Sequence, residues 1–241
     1  MISNVDRIAE QVVGLVEGGL SRAVEDGPVR VLVVGSQRRR CSPTMVARRI
    51  HMLADQLGPM TADEARDSAL LRHAARLGEG TGRRPLRAPH HSCSHAAIVG
   101  GRYDTEADAI IDARSVGEAS LAHNGVLYLD EVGEFRLTTL AAIDTAVSEG
   151  RCGPWPSRPR FIVFGSAACR CDSYKGRRCV CNGPGAAGRE GARWRERHAY
   201  RVEAILRPHV TVNVAELNNS EAIRLIEKLD ALVASGLRGA A

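Results

Sequence analysis

The chain has 241 residues, a formal net charge of +5, 44% apolar residues and 4% aromatic residues, enough for one sizeable α/β domain whose core must be filled by Val, Leu, Ile and Ala. No apolar run approaches the roughly 18–20 residues of a membrane span, and the N-terminus lacks the basic, apolar and small-residue succession of a secretory signal, so a cytoplasmic protein with no membrane partner is expected. The positive balance permits DNA or an acidic partner, but Lys175 and Lys228 are the only lysines among 33 basic residues, and genome composition produces such an arginine bias as readily as function does.

Val5, Ile8, Val12, Leu15, Val16 and Leu20 recur at helical spacing and predict a helix over residues 5–24, closed by Gly27 and Pro28. Residues 29–34, VRVLVV, are β-branched and predict a buried strand ending at Gly35. Strand, glycine and then helix form the setting of a phosphate-binding loop. Such a loop needs glycines so that backbone N–H groups curl around phosphate, a Lys for the β and γ oxygens, and a Ser or Thr for Mg²⁺. Here the segment from residue 35 reads GSQRRRCSPTMVARR. Arg38, Arg39 and Arg40 either contact phosphate beside Gly35 or form a solvated basic loop.

A helix is predicted over residues 45–57, and Thr61 with Glu64 forms a capping box opening another that reaches about residue 77. Residues 78–84 read as a flexible linker by composition. His90, His91, Cys93 and His95 crowd together without a zinc-like spacing, so a structural or interface role is expected. Residues 100–116 read as a loop or hairpin with solvated carboxylates.

Gly125 opens a short apolar run, Val126, Leu127, Tyr128 and Leu129, that reads as a core strand and ends in Asp130 and Glu131. Carboxylates at such a strand's C-terminal end sit where open α/β sheets bind ligands. This is a Walker B pattern, in which the Asp holds Mg²⁺ and the Glu orients the attacking water; the alternative is an ordinary strand before an acidic helix start. A helix over 137–147, a Pro-rich turn or hairpin over 150–159 and a core strand over 161–164 follow. Cys169-x-Cys171 and Cys179-x-Cys181 flank seven polar, turn-forming residues. Four thiolates can close a tetrahedral structural Zn²⁺ site, the alternative being reduced thiols on a loop. The last expected elements are a helix over 189–206, a strand over 209–214 and an amphipathic helix over 220–233.

Three blocks, RRPLRAPHHSCSHAAIVGG at 83–101, GEASLAHNGVLYLDEVGEF at 117–135 and CRCDSYKGRRCVC at 169–181, resemble the magnesium-chelatase subunit I-like AAA+ proteins, in the branch named ComM or YifB. The similarity runs in the same order over about residues 5–233. It implies a P-loop NTPase of the AAA+ class: a three-layer α/β sandwich with a central parallel sheet over residues 1–215, a Cys-rich loop at 167–183, and a truncated helical lid beginning at 216–241. Matching TMVARR at 44–49 to the family's TMLARR sets Thr44 at the Mg²⁺ ligand and Pro43 at the phosphate-clamping lysine. Both lysines lie far downstream, so no shift in register restores one. The family's LRQPLEDG reads IDTAVSEG here, which puts Asp144 in place of an arginine and Ser148 in place of a glutamate. Ala167 falls where AAA+ proteins carry a polar sensor. ILRPHVTVNV resembles the family's LLDRIDLHVEV, making Arg207 a candidate arginine finger across a subunit interface. The expected protein is a degenerate subunit that binds ATP with Mg²⁺ and hydrolyses it weakly or not at all. Glu131 and Arg207 are its candidate catalytic residues, and it would work as a homo-oligomer or with an active AAA+ partner. The alternatives are an active Mg²⁺-dependent ATPase motor on DNA, with Arg38 to Arg40 replacing the lysine, and a zinc-stabilised interaction module without nucleotide.

Overall fold

A computed structural model describes residues 3–21, 27–35, 42–104, 109–112, 115–167, 205, 207–215 and 217–235. In chain order its elements are α1 (Asn4–Ser21), β1 (Val29–Gly35), α2 (Pro43–Leu57), α3 (Ala62–Ala74), β2 (Leu86–Arg87), α4 (His95–Val99), β3 (Arg102–Asp104), β4 (Ala109–Asp112) and α5 (Glu118–Leu121). They continue with β5 (Val126–Leu129), α6 (Leu137–Glu149), β6 (Arg151–Cys152), β7 (Trp155–Pro156), β8 (Phe161–Ala167), β9 (Val210–Asn213) and α7 (Asn219–Ser235).

Five strands form one sheet in the order β2-β5-β8-β1-β9, and every pairing in it is parallel. The layering follows from the two-residue period of a strand, which sends alternate side chains to opposite faces. Val31, Val33, Val126, Tyr128, Phe161, Val163 and Val212 share one apolar cluster with the buried sides of α1, α2 and α7. Leu32, Val34, Leu127, Leu129, Ile162 and Phe164 share the other with α4, α5 and α6. Both faces are covered, which is why these strands read as continuous apolar runs rather than alternating ones. The result is the expected three-layer α/β sandwich with a central parallel sheet, consistent with a P-loop AAA+ domain. Each large side chain buried this way contributes about 1.5–3 kcal/mol, so a charge at Leu32 or Val163, 1% and 0% exposed, would unfold the sheet.

Helix α2 begins two residues earlier than periodicity predicts. Pro43 occupies its first turn, where a missing N–H costs nothing, and the Ser42 hydroxyl accepts a hydrogen bond from the Met45 amide. The Thr61–Glu64 capping box forms as read. The hairpin reading of 100–116 holds in the antiparallel β3–β4 pair, and that of 150–159 in β6–β7. Helix α7 lays Ala222, Leu225, Ile226, Leu229 and Val233 into the cluster shared with α1 and α2. Ion pairs tie it down, Lys228 to Asp6 on α1 at 2.6 Å and Arg49 on α2 to Asp230 at 2.8 Å.

The flexible-linker reading of 78–84 fails at Arg84, which is 5% exposed. Its guanidinium donates to both Glu64 carboxylate oxygens and to the carbonyls of Gly58, Pro59 and Asn124. Arg160 donates to the same Glu64 at 2.8 Å. A glycine-rich segment with a charge reads as solvated because the partners of Arg84, 20 to 40 residues away along the chain, are invisible to local composition.

Candidate nucleotide and metal site

The parallel sheet directs β1 and β5 to the same edge. Helix α2 starts just beyond β1, and Asp130 and Glu131 lie just beyond β5. This geometry brings Thr44 and Asp130 together across 86 residues of sequence: the Thr44 hydroxyl donates to Asp130 Oδ2 at 2.9 Å. The Tyr128 hydroxyl lies 3.2 Å from Thr44 Oγ1. Burial pushes the Tyr128 phenol well above its ordinary range, with the Thr44 hydrogen bond opposing and Asp130 reinforcing the rise. The phenol therefore remains a proton donor at neutral pH.

Gly165 of β8 makes room for this cluster. A Cβ there would stand 2.6 Å from Asp130 Oδ1 and 2.6 Å from the Tyr128 hydroxyl, so only glycine lets both cross the strand. The sequence reading places Tyr128 in a core strand and ends the later strand at residue 164, before Gly165, whereas β8 runs on through it. The one signal that could have exposed Gly165 is a glycine inside an otherwise apolar strand, which marks close approach.

Asp130 Oδ1 accepts the backbone N–H of Glu131 at 3.0 Å. Glu131 itself has φ 48° and ψ 48°, a left-handed conformation that costs a non-glycine residue about 1–2 kcal/mol. Its carboxylate lies 3.5 Å from His91 Nε2. His91 stacks on His90 with centroids 4.0 Å apart. The paired histidines thus stand beside Glu131, which their spacing did not indicate. Thr44, Arg48, His90, His91, Tyr128, Asp130 and Glu131 line a common cavity of about 470 Å³.

The donors at the Thr44 end suit magnesium. A hydroxyl and a carboxylate oxygen converge, both hard ligands, and Mg²⁺ usually takes one or two carboxylates with phosphate and water completing its shell. Among the described residues no group of three or more His, Cys, Asp or Glu side chains is placed to hold a metal by itself. The residue before Thr44 carries no charge. Pro43 is buried, and a Cβ on Gly35 would meet the Pro43 ring at 2.8 Å. An apolar ring therefore packs on the glycine that ends β1.

Arg38, Arg39, Arg40 and the four cysteines Cys169, Cys171, Cys179 and Cys181 lie outside the described residues, as does the helix expected over 189–206 apart from Ile205. Ala167 ends β8 in register with Gly35. Arg207 is not brought to the Thr44–Asp130 cluster of its own chain. It precedes β9, whose Val210 pairs with Val31, so it sits at the opposite end of the parallel sheet, at least about 13 Å from the end of β1 at 3.3 Å per residue. Its side chain is 74% exposed and reaches Asp144 Oδ2 at 3.6 Å. Asp144 also pairs with Arg30 at 2.5 Å, so it bridges two arginines.

Residues 25–219 match the family described as magnesium chelatase, subunit ChlI, and the chain belongs to that family. The protein YifB of Escherichia coli is 41% identical over 108 residues, covering 45% of this chain and 20% of YifB. The Mycobacterium tuberculosis protein Rv2897c is 34% identical over 149 residues, 57% of this chain and 27% of its own length. Competence protein ComM of Haemophilus influenzae is 36% identical over 107 residues, 44% of this chain and 19% of ComM. The matches thus span about a fifth to a quarter of the length of these relatives. No helix among the described residues is long and apolar enough to cross a membrane.

Proposed function

Starting from a chain of the magnesium chelatase ChlI family, we propose that the protein is a nucleotide-binding AAA+ subunit of low or absent hydrolytic activity that works in an oligomer with its own copies or with an active relative. One observation carries this reading: the Thr44 hydroxyl stands 2.9 Å from Asp130, while the residue before it is a proline buried against Gly35. The metal-binding half of the machinery is kept and the phosphate-clamping charge is not.

In this reading Thr44 and Asp130 hold Mg²⁺, which when bound neutralises charge between the outer phosphates of ATP. Tyr128 fixes the Thr44 hydroxyl, and Glu131 presents a carboxylate to a water. Pro43 supplies neither charge nor a backbone donor. Phosphoryl transfer depends on positioning and electrostatics, so losing the lysine and a polar sensor costs on the order of several kcal/mol, roughly a thousandfold or more in rate. Arg207, exposed and remote from its own Asp130, is suited to a neighbouring subunit's nucleotide. The four cysteines would close a structural zinc shell in a cytoplasmic protein, a reading that rests on their spacing alone.

Titrating ATP with and without Mg²⁺ tests the site. The expected result is affinity no tighter than the high micromolar range, strengthened by Mg²⁺ in the wild type and insensitive to it in Asp130→Asn. Nucleotide binding indifferent to Mg²⁺ in the wild type would overturn the metal assignment.

A further inference from the structure

Arg48 lies one helical turn after Thr44 on α2 and is exposed. Residues four apart share a helix face, and both side chains line the cavity that holds Asp130 and Glu131. Its neighbour Arg49 is committed elsewhere, with Nε and Nη2 on the two Asp230 oxygens at 3.0 and 2.8 Å. Arg84, Arg87 and Arg160 are likewise held by Glu64 or Glu118. The Arg48 side chain makes no hydrogen bond or ion pair with any other described residue. It is thus a cation with unused donors in a cavity that also contains two adjacent carboxylates.

The groups that line the cavity bear on what such a cation would meet. Thr44 and Asp130 mark the metal end and Glu131 the water end, and the terminal phosphate of a nucleoside triphosphate belongs between them. An arginine is always charged and presents paired N–H groups that match phosphate oxygens. Two carboxylates repel a phosphate unless a metal and a fixed cation offset them.

We propose that Arg48 is the phosphate-contacting residue of this site: from the second turn of α2 it supplies, at the terminal phosphate, the positive charge that Pro43 cannot, and so makes the site prefer nucleoside triphosphate over diphosphate. This rests on the nucleotide-binding reading given above. Substitution at an exposed helical position leaves the fold intact, so the effect is read in binding rather than stability.

Calorimetric titration of the whole chain with ATP, a non-hydrolysable ATP analogue and ADP, each with Mg²⁺, tests it in the wild type, Arg48→Ala and Arg48→Lys, with melting temperatures as the folding control. Arg48→Ala weakens both triphosphates by about tenfold, the size of one lost charge-assisted hydrogen bond, and leaves ADP within about twofold; Arg48→Lys keeps part of the preference. Equal losses for ATP and ADP, or unchanged affinities in Arg48→Ala while the wild type binds, overturn the assignment of Arg48 alone. A wild type that binds none of the three overturns the nucleotide-binding reading and this inference with it.

Discussion

At the N-terminal end of the sheet, Arg84 and Arg160 converge on Glu64 just before β2 and β8, with backbone carbonyls taking the remaining Arg84 donors. At the C-terminal end, Thr44, Tyr128 and Asp130 converge beyond β1 and β5, but Glu131 sits in a strained backbone conformation and Arg48 points its charge into a cavity. Both clusters are assembled from residues far apart in sequence, and both put charge at the rim of the same sheet. They differ in saturation. The first satisfies the side-chain donors of the buried Arg84 and holds the fold together; the second leaves the Arg48 donors open at a cavity, as a ligand site in an open α/β sheet requires.

Breaking the saturated end has the largest expected effect. Glu64→Ala leaves Arg84 buried without its carboxylate and costs about 3–5 kcal/mol of stability by chemical denaturation, whereas Thr44→Val at the open end costs less than about 1.5 kcal/mol. Equal costs would erase the distinction between the two ends. The same carboxyl gives a pH signature. Burial would raise Glu64, but hydrogen bonds from Arg84 and Arg160 outweigh it and lower the carboxyl from 4.5 to about 2. A lowered folded-state value means the contribution is fully present above pH 4.5 and is lost as pH falls from there toward 2. Glu64→Gln should flatten that part of the stability curve.

A smaller effect is expected from closing the gap in β8. Gly165→Ala places a methyl group within 2.6 Å of Asp130 and Tyr128, so it should part Thr44 from Asp130. The strengthening of ATP binding by Mg²⁺ should fall by on the order of tenfold, about 1.4 kcal/mol. An alanine variant with full Mg²⁺ response would show that the Thr44–Asp130 contact is not what orders the metal end.

Periodicity and capping made most of the layers legible: the runs at 29–34, 126–129 and 161–164 are strands, and Thr61 with Glu64 caps α3. Asp130 and Glu131 stood out as strand-end carboxylates and Thr44 through the family resemblance, and the fold brings the Thr44 hydroxyl to Asp130. What local pattern could not supply was the partner of each polar group. Arg84 sat in a segment whose glycines read as a linker, although its acceptors lie on α3 and before β5. Tyr128 read as one more apolar residue in a strand, since nothing nearby in sequence announces a hydroxyl facing Thr44. The paired histidines show the same limit: their spacing argued against zinc but said nothing of Glu131, which the chain folds back to meet His91 at 3.5 Å.

Steady-state ATP turnover by the purified chain with Mg²⁺, beside Glu131→Gln, tests most directly the proposal that the chain binds nucleotide but hydrolyses it weakly or not at all. Turnover near background in both proteins is the predicted result; robust turnover by the wild type, abolished in Glu131→Gln, would contradict it.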